Sequence, residues 1–196
     1  MCKANDMKKQ LLVFCLLAVF SQGVSAQYKE YHGDGPDDWL RLLPVSSAFV
    51  LKVCGVESSS NWKSFIVSAG ASGLLTCGVT YGLKHAVHDM RPDGTDNHAF
   101  PSGHAAVAFA GAHVLWKEYR GTSIWIPAAG YAVAAATAVD RVHRNRHHWD
   151  DVVAGAAIGV ASTELGYWLS HKLLPQNGQC QIGVSPGGVT LLYTLH

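Results

Sequence analysis

Charge is scarce in this chain. Asp, Glu, Lys and Arg together make up 15% of its 196 residues, well below the roughly 25% of an average soluble domain. The two signs nearly cancel, with 15 basic residues against 14 acidic ones. A basic stripe of the kind that tracks a phosphodiester backbone is therefore missing, and no nucleic-acid partner is expected. None of the five cysteines forms a C-x-x-C pair, which argues against a structural zinc knot. Cys54 and Cys77 fall in apolar stretches and are expected to behave as small buried hydrophobes. There is no internal repeat and no low-complexity tract, and the length leaves little room for a second catalytic module. What the chain does have is apolar mass: 48% hydrophobic residues and a mean hydropathy of +0.11, the balance of a membrane protein or a very apolar bundle.

Taken in order, residues 1–26 carry Lys8 and Lys9, an apolar run over residues 11–20, and Val24-Ser25-Ala26 before Gln27. That is the pattern of a secretory signal, expected to be cleaved; if kept, it would act as a short anchor. Residues 27–38, with Gly33, Gly35 and Pro36, read as a linker or a cap over the site. Helices are expected over residues 39–56, 64–83, 102–116, 124–139 and 150–174. Asn61 caps the second of these, and its four glycines suit close packing. Beyond Pro175, Val189, Leu191, Tyr193 and Leu195 alternate after a Ser185-Pro186-Gly187-Gly188 turn, which fits a short β-hairpin. The expected architecture is all-α: an antiparallel bundle of about five helices after the signal, spanning residues 27–174, with a tail at 175–196.

Three polar clusters interrupt the apolar runs: Lys84 with Arg91-Pro92, then Pro101-Ser102-Gly103-His104, then Arg141 with His147 and Asp151. Each sits at the end of a helix-length segment, so antiparallel segments bring all three to one end of the bundle. Lys84, Arg91 and Arg141 supply fixed positive charge, and a guanidinium fork fits a tetrahedral oxyanion. Ser102 and Gly103 open a helix, where backbone N–H groups lack partners and phosphate binds readily. His104 and His147 can exchange protons near neutral pH, and Asp151, four residues beyond His147, can hold that imidazole in one tautomer. His143, His147 and Asp151 at four-residue steps could also make a zinc face, as could His85 and His88, but neighbouring cations would repel a divalent metal.

The order Lys84-x6-Arg91-Pro92, Pro101-Ser102-Gly103-His104 and Arg141-x5-His147-x3-Asp151 resembles the type 2 phosphatidic acid phosphatase superfamily, which includes bacterial acid phosphatases and vanadium haloperoxidases. The resemblance spans residues 62–172. It implies that His147 attacks phosphorus with Asp151 orienting it, and that His104 protonates the leaving oxygen. It further implies that Lys84, Arg91, Arg141, Ser102 and Gly103 hold the phosphoryl oxygens, with no metal and no cofactor. The third motif usually begins with serine where Asp140 stands here, and Asp140 is expected to pair with Arg141, Arg144 or another nearby base. The expected substrate is a phosphate monoester or pyrophosphate, on a lipid or a small ester. Three rivals stand beside a membrane lipid phosphatase: a soluble periplasmic acid phosphatase, a vanadate-dependent haloperoxidase, and a non-enzymatic lipid-phosphate-binding envelope protein. Lys63, Lys117, Arg120, His171 and Lys172 lie opposite the site, so in a membrane the site is expected to face outward.

Overall fold

The computed structural model describes residues 36–173 and, as backbone, two further strands; the expected signal segment lies outside the described residues. Six helices follow one another: α1 (Pro36–Leu40), α2 (Leu43–Val53), α3 (Trp62–Ala86), α4 (Gly103–Tyr119), α5 (Trp125–His143) and α6 (Trp149–Leu173). The strands β1 (Gln179–Ser185) and β2 (Gly188–Thr194) pair antiparallel, with Ile182 opposite Leu191. The described domain is thus an all-α bundle. The single helix expected over residues 39–56 is in fact two, because Pro44 stands in the first turn of α2, where its fixed φ starts a helix that it could not continue from α1.

α4 is the central helix and packs on α2, α3, α5 and α6. Its small residues explain that place: Ala105, Ala106, Ala108, Ala110 and Ala112 are all buried, and an alanine lets a neighbouring backbone approach from any side. The closest approaches come from glycines of α6. A Cβ added at Gly155 would lie 2.4 Å from Ser102 O, and one at Gly159 would lie 2.3 Å from Ala106 O. Further along the same face of α6, a Cβ at Gly166 would meet Ser72 N at 2.6 Å.

The four glycines expected to serve this purpose, in residues 64–83, do not: Gly70, Gly73, Gly78 and Gly82 have nothing within 4 Å of an added Cβ. α3 instead packs through Ser68, Ser72, Thr76 and Thr80, which recur every four residues and are buried. Two of their hydroxyls turn back on their own helix, Ser72 Oγ to Ser68 O and Thr76 Oγ1 to Ser72 O, both at 2.7 Å, while Ser68 Oγ meets Ser170 Oγ of α6. Small side chains satisfied within their own helix serve the same end as glycine. Cys54 and Cys77 are a second correction, since both are free and exposed rather than buried. Cys77 rides on the outer face of α3, and an apolar segment has no need to bury every apolar residue if its surroundings are themselves apolar.

The end of the bundle away from residues 84 and 103 is closed by a buried carboxylate. Glu118 accepts Ser60 Oγ at 2.8 Å and Tyr167 OH at 2.9 Å, with Lys52 Nζ 3.8 Å away. Lys52 in turn donates to Ser60 O at 2.6 Å. A buried charge needs such partners, and these tie the loop before α3 to the end of α4. The two polar ends are therefore distinct: this one is internally satisfied, and the other carries the candidate site.

Candidate active site

Three loops converge at the site end, and each has a local reason for its shape. α3 is capped by Asn61, whose Oδ1 accepts from Ser64 N at 2.9 Å, and it runs to Ala86, so that Lys84 lies in its last turn. The chain then folds on itself, with Asp89 N bonded to Asn97 O, Arg91 N to Asp96 O and Ala99 N to Asp89 O. Lys84 Nζ donates to His98 O at 2.7 Å. Arg91 Nε donates to Asp96 Oδ1 at 2.7 Å. Burial pulls Asp96 upward, but the hydrogen bonds from Arg91 and the His98 amide outweigh it and hold the carboxyl below its ordinary range.

α5 ends in a turn built on Asn145, which takes a left-handed φ of 53°. Asn145 N bonds Val142 O and Arg146 N bonds Arg141 O, both at 3.0 Å, the paired bonds of a Schellman stop. Asparagine tolerates that conformation better than other non-glycine residues. The stop throws Arg146 sideways onto Asp93, with Nη1 2.7 Å from Oδ2, and so staples this loop to the one carrying Arg91. It also ends the helix before His147, which breaks the regular four-residue face considered for zinc: His143 is exposed while His147 and Asp151 are buried.

His147 lies at the centre, 2% exposed. Burial first, and then the charges of Arg141, Arg91 and Lys84, hold its pKa down to about 2, against a weaker upward pull from a hydrogen bond with the Ala99 backbone. Three cations from three separate segments thus act on one imidazole, which stays neutral with its lone pair available. Asp151, fully buried, approaches His147 Nδ1 at 3.5 Å through Oδ2 and accepts the His148 amide at 2.8 Å through the same oxygen. At that distance no hydrogen bond joins them, and His147 Nδ1 is buried without a hydrogen-bond partner among the described residues.

The α4 start is reached from two sides. Ser102 N donates to Asp151 O at 3.0 Å, so this amide is taken rather than unpaired as expected: α6 sits close enough at Gly155 for its carbonyl to reach it. Ser102 Oγ, by contrast, is buried and has no hydrogen-bond partner among the described residues. Arg91 Nη1 is in the same state. Buried donors of this kind call for an acceptor from outside the fold. Gly103 stands beside Lys84, whose Cε is 3.9 Å from an added Cβ. Arg141 is buried as well. Asp140 lies 3.6 Å from Arg144, one of the bases expected for it.

Two features escaped the sequence. Asp38 Oδ1 lies 2.6 Å from His104 Nε2, although residues 27–38 read only as a linker or cap; the acidic first turn of a helix after Pro36 was the available signal. Asp89, His148 and Asp151 bring ligand-type atoms within 4.8 Å of one another, but Asp151 also lies in electrostatic reach of Lys84, which disfavours a divalent ion there. Farther along α4, His113 is buried between Tyr131 OH and Glu164 Oε1, each at 2.6 Å.

A family model described as the PAP2 superfamily matches residues 62–175. Lipid A 1-phosphatase of Porphyromonas gingivalis is 38% identical over 138 residues, which is 70% of this chain and 31% of the relative. A probable diacylglycerol pyrophosphate phosphatase 1 of Schizosaccharomyces pombe is 29% identical over 117 residues, 54% of this chain and 38% of the relative. The chain spans about a third of the length of these curated relatives. The crystal structure of Aquifex aeolicus LpxE superposes with a TM-score of 0.53 at 20% identity, over 68% of this chain and 87% of that one. At that identity the likeness is one of fold.

Proposed function

The chain belongs to the PAP2 superfamily, and on that footing we propose that it hydrolyses a phosphate monoester or pyrophosphate borne by a membrane lipid, through a phosphohistidine. The observation that carries this reading is the convergence of Lys84, Arg91 and Arg141 on a buried, neutral His147. A neutral imidazole surrounded by fixed cations attracts an anionic centre and can attack it, and electrostatic stabilisation of this kind dominates phosphoryl transfer. The names of the two curated relatives, both phosphatases of phosphorylated lipids, support the substrate class.

In the first step the lone pair of His147 forms a bond to phosphorus while the bond from phosphorus to the leaving oxygen breaks. His104 gives that oxygen a proton. Asp151 lies on the Nδ1 side, so Nε2 is the attacking nitrogen and the carboxylate offsets the charge that the ring acquires. Arg91 Nη1, Ser102 Oγ, the Gly103 amide, Arg141 and Lys84 receive the phosphoryl oxygens. In the second step water loses a proton to His104 and attacks phosphorus, the nitrogen–phosphorus bond breaks, and phosphate leaves with His147 neutral again.

A membrane setting has its own support. α3 and α6 are each 25 residues long and apolar enough to cross a bilayer, with only 28% and 39% of their apolar windows buried in the fold; the core helix of a soluble protein is mostly buried. Leu74 and Trp125 are 77% exposed, with Ile66, Leu165 and Trp168 more than half exposed, a surface suited to lipid. α2, at 11 residues, is too short to span the roughly 30 Å of hydrocarbon. We place the site on the periplasmic face of a bacterial-type envelope, because Lys63, Lys117, Arg120 and Lys172 gather at the other end. Single cysteines at Gly94 and Gly121, in a background without the native thiols, are expected to react oppositely with an impermeant reagent on spheroplasts: Gly94 labelled, Gly121 protected. Protection at Gly94 overturns the orientation.

Phosphate release from phosphatidic acid, phosphatidylglycerophosphate, undecaprenyl pyrophosphate and lipid A tests the activity directly. Release from at least one, undiminished by EDTA and inhibited by vanadate, is the expected result. Loss in EDTA with recovery on adding zinc defeats the metal-free reading, and tight binding of a lipid phosphate without release makes the protein a binding module.

A further inference from the structure

We propose that Asp38 is a positioning residue for His104, reaching across from α1 to hold the imidazole through its two proton transfers. The inference rests on the role given above to His104 and adds a residue outside the matched segment, 62–175.

The contact is short and polar: Asp38 Oδ1 to His104 Nε2, 2.6 Å, between side chains 26% and 17% exposed. It joins residues 66 apart in sequence, so it is not a by-product of local helix geometry. The carboxylate is itself steadied by Arg41, whose Nη2 lies 3.6 Å from the same oxygen while Nε donates to Asp38 O at 3.2 Å. The element that delivers it is also fixed. A turn with Leu42 N bonded to Trp39 O at 3.1 Å joins α1 to α2. α2 in turn is seated on α4 so closely that a Cβ at Gly111 would lie 2.7 Å from Val45 N. Asp38 is therefore referenced to the same helix that carries His104, seven residues before Gly111.

Chemically, a carboxylate beside an imidazole does two things. It sets the ring's orientation, and it favours the protonated form that must be present when the leaving oxygen departs. After that proton is given up, the Asp38 contact helps to keep the neutral ring facing the phosphoenzyme, where it takes the proton from water. This is the kind of service expected of Asp151 toward His147, supplied here from a segment at the other end of the chain. Loss of such a partner should show most where proton donation limits the rate, that is, with poor leaving groups.

The test compares Asp38→Asn, Asp38→Glu and His104→Ala in the full chain, on a lipid phosphate with an alkyl leaving group and on p-nitrophenyl phosphate, whose leaving group needs no proton. Asp38→Asn is expected to lower kcat/KM, which reads the phosphorylation step alone, by about tenfold on the alkyl substrate and by less than about threefold on the aryl one, with vanadate inhibition unchanged. Asp38→Glu, which keeps the carboxylate, recovers more of the alkyl rate than Asn. In a His104→Ala background Asp38→Asn adds nothing, because its partner is gone. Equal losses on both substrates, or weakened vanadate inhibition, make Asp38 a prop for the pocket and overturn the inference. If His104→Ala discriminates between the substrates while Asp38→Asn does not, the inference falls alone. If His104→Ala itself hurts both equally, the general-acid role fails first and takes the inference with it.

Discussion

Replacing His147 by alanine is expected to abolish turnover, by about a thousandfold or more, and to remove any phosphoenzyme. Residues that position an anion share the task among three cations and several neutral donors, so that each is partly covered by the others. The nucleophile has no such deputy. Wild-type protein quenched during turnover should hold acid-labile, base-stable phosphate, and the variant should hold none. Because His147 is buried, its removal leaves a cavity, and the thermal melt and vanadate binding of the variant separate a lost nucleophile from a lost fold. A variant that melts normally and keeps more than a few per cent of the rate would show that another group attacks phosphorus.

The second large effect is on stability and concerns the seam between α4 and α6. Gly159→Ala should destabilise the protein by about 2–3 kcal/mol, even though alanine is the better helix former by about 1 kcal/mol. The added methyl would fall 2.3 Å from Ala106 O and 2.8 Å from Ala110 N. Both are backbone atoms of the central helix and cannot rotate away, so the two helices must separate along their length. Gly73→Ala is the matched control, since nothing lies within 4 Å of its added Cβ, and it should be neutral or slightly stabilising. Thermal or denaturant unfolding in detergent reads both; equal effects would mean that the seam is looser than these distances. Gly155 carries the same constraint up to Ser102 O, so the packing that holds the bundle together also holds the start of α4 in place at the site.

Much of this protein was legible in its sequence. The helices follow from apolar segments bounded by Asn61, Gly121 and an acidic first turn at Asp150, signals that act over one or two turns and need no distant partner. The residues with chemistry follow from their types: only arginine, lysine, histidine and aspartate could serve an anion and its protons, and they cluster at segment ends where helices begin or stop. The tertiary structure decided matters that depend on which surfaces meet. It put Asp38 against His104 across 66 residues, and no local pattern distinguishes that aspartate from Asp37 beside it. Asp151 O closed on the Ser102 amide because α6 approaches α4 at a glycine, whereas a sequence reads a helix N-terminus as four open donors. The close-packing glycines proved to be those of α6 and not of α3, since glycine permits close approach from any helix and only the arrangement of helices says where approach occurs. The same arrangement exposed Cys77: composition marks a segment as apolar, but only the bundle determines which of its faces turns inward and which is left to its surroundings.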